Sequence, residues 1–97
     1  MRTTHLYETW CDEYVIRAEL VEGSHRGDEV CVTCEWMGKL DIGGDAVGWI
    51  PVKQLLDVPV GEPCIVQVAT RTGLTSNVTL PYRVVDRALA RLGYEEL

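Results

Sequence analysis

The sequence predicts an α+β fold, a small curved antiparallel sheet or partial barrel of about five or six strands with one C-terminal amphipathic helix. Three observations carry that expectation. Apolar and polar residues alternate with a period of two over several short stretches, the pattern of strands with one buried face. Glycine and proline recur between those stretches, with nine Gly and four Pro in 97 residues, and this punctuation keeps each stretch short. Residues 81–92 alone combine an apolar arc at helical spacing with a starting proline and a following glycine.

Taken in order, residues 14–22 alternate, with Tyr14, Ile16, Ala18 and Leu20 on one side and Val15, Arg17, Glu19 and Val21 on the other. The segment before them is ambiguous, because Tyr7, Cys11, Tyr14, Ala18 and Val21 also fall at helical spacing. Its Thr, Trp, Cys, Tyr, Val and Ile content favours two strands joined by a turn at Asp12-Glu13 over one helix across 5–21. Residues 29–37 read as a strand with Val30, Val32, Cys34 and Trp36 on one face. Short strands are expected at 40–42 and 47–50, the second ending at Pro51, which cannot donate to a ladder. A Pro- and Gly-containing loop over 57–63 leads to a strand at 64–71, and 75–80 supplies another. In the helix Val84, Val85, Ala88, Leu89 and Leu92 share an arc, Arg83, Arg87 and Arg91 stack opposite, Thr79 is placed to cap, and Gly93 stops the helix. One domain spans 1–97, with a strand-rich body over 5–80 and the helix over 81–92.

The formal charge is −6 and unevenly spread: twelve acids oppose five bases over residues 1–63, whereas three oppose four over 64–97. An acidic surface repels phosphate backbones, so direct nucleic-acid binding is disfavoured and a partner with a basic surface is favoured. The first residues hold no signal-like apolar stretch, and no apolar run reaches the roughly 18 residues that cross a bilayer. A cytoplasmic, reducing setting is the expectation, with the four cysteines as free thiols and no membrane partner.

Cys31-Val32-Thr33-Cys34 matches C-x-x-C, and Cys11 and Cys64 bring the thiols to four. Zinc needs sulfurs converging from tight turns, whereas residues three apart in a strand face opposite sides. Small buried hydrophobes are the expected role of these thiols. Ser24, His25 and Asp28 crowd a hydroxyl, an imidazole and a carboxylate into one turn, but near neighbours in a loop seldom align as nucleophile, base and orienting acid. A solvated turn is expected there.

The stretch Leu40-Asp41-Ile42-Gly43-Gly44-Asp45-Ala46-Val47-Gly48-Trp49-Ile50-Pro51 lacks the Gly-Lys-Ser/Thr of a phosphate loop. Its first half resembles the active-site loop of retropepsin-like aspartic proteases, apolar-Asp-Thr/Ser-Gly-Ala-Asp before an apolar strand. That resemblance implies a dimeric hydrolase in which Asp41 shares a proton with its twin. Ile42 stands where the family has Thr or Ser. Residues 27–58 resemble part of an SH3-like barrel. Gly27-Asp28-Glu29-Val30 is similar to the turn into its second strand, and Gly48-Trp49-Ile50-Pro51 is similar to its Gly-Tyr-Ile-Pro segment, with 53–56 as the short helical turn that follows. The resemblance implies a groove for proline-rich peptides lined by Trp36 and Pro51. Leu55 and Leu56 stand where a groove tyrosine is expected, and 60–97 have no counterpart.

The functional expectation is a non-enzymatic protein–protein interaction module, an acidic adaptor or inhibitor. Trp36, Trp49, Pro51 and the Arg83, Arg87, Arg91 stripe are its expected partner-binding residues, since Trp and Arg are enriched at interface hot spots. One subtype is an inhibitor that occupies a nucleic-acid-binding surface of its target. The alternatives are an aspartic hydrolase using Asp41 and a metal-binding protein using the cysteines. No catalytic residue, cofactor or metal ion is expected.

Overall fold

A computed structural model describes residues 1–11, 13–36 and 45–94. Six antiparallel strands form one sheet in strict chain order, β1 (Arg2–Cys11), β2 (Tyr14–Ser24), β3 (Gly27–Trp36), β4 (Ala46–Pro51), β5 (Cys64–Ala69) and β6 (Thr75–Leu80). The sheet curls into a half-barrel. A four-residue helix α1 (Val52–Leu55) follows Pro51, and helix α2 (Tyr82–Arg91) follows β6. The ambiguity over 5–21 resolves as a hairpin, paired from Arg2↔Glu22 to Cys11↔Tyr14. The strand expected at 40–42 lies outside the described residues.

Alternation decides which face each side chain takes. Ala18 and Leu20 of β2, with Val30 and Val32 of β3, point into the concave core together with Val66 and Val68 of β5. Val15 is fully buried although alternation sets it on the outer face, where it is registered between Trp10 and Glu35. Each fully buried Val or Leu of this kind contributes about 1.5–3 kcal/mol.

Helix α2 covers one end of the concavity. Its buried arc is Val84, Val85 and Ala88, with Leu89 and Leu92 packed against the same core. Thr79 does not cap it. Pro81 occupies the N-cap in an extended conformation with no side-chain bond, while Thr79 sits before it as an exposed residue of β6. Proline suits the position, since the first helical N–H groups have no intrahelical acceptor in any case. Gly93 takes φ 85°, and the Tyr94 N–H donates back to the Leu89 carbonyl at 2.9 Å, which ends the helix as the sequence indicates.

Two of the three stripe arginines are engaged within the molecule rather than turned wholly to water. The register of β1 slips between His5 and Tyr7, so Leu6 is the extra residue of a bulge and drops into the core at 2% exposure. A bulged residue leaves the ladder, and Arg87 Nη1 donates to the Leu6 carbonyl oxygen at 2.8 Å. The Arg83 guanidinium lies 5.5 Å from the Tyr7 ring centroid. The last helix is thereby fastened to the first strand. Arg91 stays exposed in the final turn.

At the other side of the sheet, a single registered pair, Val47↔Ala69, joins β4 to β5. Gly48 packs so closely there that a Cβ would stand 2.2 Å from the Gln67 carbonyl oxygen. Only a residue without a side chain allows that approach.

Arg87→Met keeps the aliphatic stem but leaves the Leu6 carbonyl without its donor, and urea unfolding should show a loss of about 1–3 kcal/mol. Wild-type stability in that variant would remove the Leu6 contact from the account of how α2 is held. Gly48→Ala should cost at least about 1–3 kcal/mol through forced backbone movement, read from the same unfolding curves. An unchanged midpoint would contradict the close packing of β4 on β5.

Candidate functional site

The end of the half-barrel that α2 leaves uncovered is an open cleft of about 700 Å³. Two cross-strand rows build its floor. Tyr14 and Trp36 are partners across β2 and β3, and the next row holds Ile16, Cys34 and Ala46. Val68 of β5 and Leu74 of the β5–β6 turn form the far wall, which continues along residues 75–79 of β6. The Tyr14 and Trp36 rings meet edge to face, with centroids 4.6 Å apart and planes at 69°. The Trp36 indole N–H is buried and has no acceptor among the described residues. The described lining residues carry no formal charge, although the chain carries −6.

The thiols divide between environments. Cys34 and Cys11 line the cleft, Cys31 belongs to the outer face beside Trp49, and Cys64 is buried in the core. The C-x-x-C pair thus faces two ways, as strand geometry requires. Burial pushes the Cys34 thiol up, reinforced by the nearby Asp45 carboxylate and by Cys11. Burial also raises Cys31, helped by Glu19 and Glu29 and opposed by Arg26. Burial alone raises Cys64. Cys11 departs from the sequence expectation, being exposed at the end of β1. Among the described residues no group of three His, Cys, Asp or Glu side chains is placed to hold a metal ion.

The predicted partner-binding residues do not share one surface. Trp36 stands in the concave cleft. Trp49 and Pro51 follow the opposite alternation on β4 and lie on the outer face, Trp49 at 42% exposure. A groove uniting Trp36 with Pro51 is therefore not assembled. The Arg26 guanidinium sits 4.9 Å from the Trp49 ring centroid while its Nε lies 3.1 Å from Glu29 Oε1, and this holds a carboxylate that is otherwise 4% exposed. Arg17 bridges Glu8 and Glu35 at 2.7 Å each across three strands of the same face. The Arg17 hydrogen bond holds the Glu8 carboxyl below its usual range. Ser24 and Asp28 spend their oxygens on the β2–β3 turn, Ser24 Oγ donating to the Gly27 carbonyl and Asp28 Oδ1 accepting the Gly23 N–H. That turn is built as expected, around Gly27 at φ 92°. Asp41 lies outside the described residues.

Sequence reasoning singled out Trp36 but not Tyr14, Ile16 or Leu74, whose shared position depends on sheet curvature. The uncharged run Thr75-Ser76-Asn77-Val78-Thr79 in an acidic chain was the one available signal for the remaining wall. No described helix is long and apolar enough to cross a membrane. Comparison with known proteins gives no match, whether against family models, curated proteins or solved structures.

The environments set an order of thiol reactivity. At about pH 8 a thiol-exchange reagent should consume Cys11 first, Cys31 and Cys34 slowly, and Cys64 only on unfolding. Because burial raises the three slower thiols, their rates should climb as pH rises further and more thiolate forms. Four thiols reacting at one rate in native protein would contradict these placements.

Proposed function

We propose that this protein is a protein–protein interaction module, an acidic adaptor or inhibitor, and that the open end of its half-barrel is the binding site. The cleft carries the reading. Its volume of about 700 Å³ falls within the range of sites that enclose a ligand, and its aromatic floor offers contact area at low entropic cost. The walls supply hydroxyl, thiol and amide groups for orientation, with Asp45 close to Cys34 at one side. That pattern suits an apolar segment of another protein, and the net charge favours a target with basic surroundings. Trp49 is a second, outer contact candidate.

The subtype that occupies a nucleic-acid-binding surface rests on net charge alone. On the outer face Glu8, Glu35 and Glu29 are already committed to Arg17 and Arg26, which leaves fewer free carboxylates there to imitate phosphates.

The test is quantitative capture from the native host with the full chain as bait, comparing wild type with Tyr14→Ala, Trp36→Ala and Trp49→Ala. A partner retained by wild type and Trp49→Ala but depleted by about tenfold or more in both cleft variants supports the reading. Tyr14 is 41% exposed, so its truncation leaves the core intact and folding is checked by circular dichroism. Equal capture by a folded Tyr14→Ala variant would place the site elsewhere.

A further inference from the structure

We infer that the cleft receives an extended segment of a partner protein, which adds to the free edge of β6 as a seventh strand and extends the unclosed barrel. This deepens the reading of the cleft as the binding site and rests on it. Successive residues 75–79 all line the cleft. Side chains alternate between the two faces of a strand, so a cavity lying on one face would touch every second residue. The outward-alternating Thr75, Asn77 and Thr79 line the cleft as well as Ser76 and Val78, which fits a cleft that reaches the open side of β6. β6 ends the strand order and has no neighbouring strand beyond it among the described residues.

The two edges of this sheet are treated differently. β1 carries a bulge at Leu6, its freed carbonyl is occupied by Arg87, and α2 crosses beside it. These are devices by which natural sheets block unwanted pairing. Among the described residues β6 has none of them: Thr75, Ser76, Asn77 and Thr79 are exposed, uncharged and free of proline. An edge left open beside an aromatic floor is arranged for strand addition.

Charge selects the occupant. The described lining is uncharged, so the portion of the segment beside residues 75–79 is uncharged too, with alternate apolar side chains toward Tyr14, Ile16, Trp36 and Val68. The paired stretch spans about 16 Å at strand rise. Acidic residues stand near the floor, with Asp45 beside Cys34 and Glu13 preceding Tyr14, so basic residues flank the segment. A second copy of this chain would offer the same uncharged strand, but already paired to β5 on one side and continuous with Pro81 and α2.

The experiment pans a displayed library of random peptides, each roughly ten residues long, against the full chain, and then scans the recovered peptides by single backbone N-methylation. A strand pairs with one neighbour through every second residue. The expected result is a two-residue period, with alternate N-methyl groups weakening binding by about tenfold or more and the intervening ones doing little. Bound peptide should also slow amide hydrogen exchange in residues 75–79, and Tyr14→Ala should weaken it. Affinity indifferent to N-methylation but lost in Tyr14→Ala would overturn strand addition while the cleft stands. Peptides indifferent to both changes, or no peptide recovered, would overturn both. Sedimentation showing the chain alone as a dimer with residues 75–79 already protected would assign the edge to a second copy and overturn the proposal.

Discussion

A half-barrel built as a simple meander must cover a concave apolar surface that its own strands do not close. Here the fastening of α2 to β1 does this, through a bulge that drops Leu6 into the core and an arginine that takes up the carbonyl thereby released. The carbonyl would otherwise lack a ladder partner, and the guanidinium supplies a charge-assisted bond in a partly buried place. Everything else follows from which end is covered. Helix α2 reaches the middle of β1 at Leu6, whereas Cys11 at the end of β1 and Thr75 at the start of β6 line the cleft that remains.

The outer face is likewise divided. Across β1 to β3 it carries Glu8, Arg17 and Glu35 in one ion network and Arg26 with Glu29 at the following turn. Across β4 to β6 it carries Val47, Trp49, Ile65, Gln67 and Asn77 without formal charge. Exposed pairs such as Glu8 with Arg17 add little stability, being open to water and salt. Their consequence is electrostatic: they neutralise part of the acidic charge on this side of the sheet. The Arg26–Glu29 pair differs, since Glu29 is buried and removing its partner would strand a charge.

Much of this architecture was legible in the sequence, because period-two alternation and glycine–proline punctuation act locally. The hairpin over 5–21, the faces of β2 and β3, the strand at 75–80 and the helix with its Gly93 stop all follow from neighbours in the chain. What was not legible depends on distant partners. Leu6 and Tyr7 break alternation, and nothing local says which one belongs to a bulge. Arg87 reads as a solvated charge because its acceptor is a main-chain carbonyl 81 residues away, and carbonyls leave no mark in a sequence. Trp36 was found by residue type, but the cleft was not, since it exists only once curvature brings β2, β3 and β6 around one space.

The contact between the first strand and the last helix also bears on how the chain comes to be folded during synthesis. Each hairpin from β1 to β4 joins neighbours in the chain, yet the inner surface they create is not fully covered until Val84, Val85 and Ala88 are made. A chain whose synthesis has not yet reached α2 therefore leaves part of its apolar hollow open, the kind of surface that chaperones shield. The bond that fastens the helix joins residues 81 apart, so it forms only after both have been made.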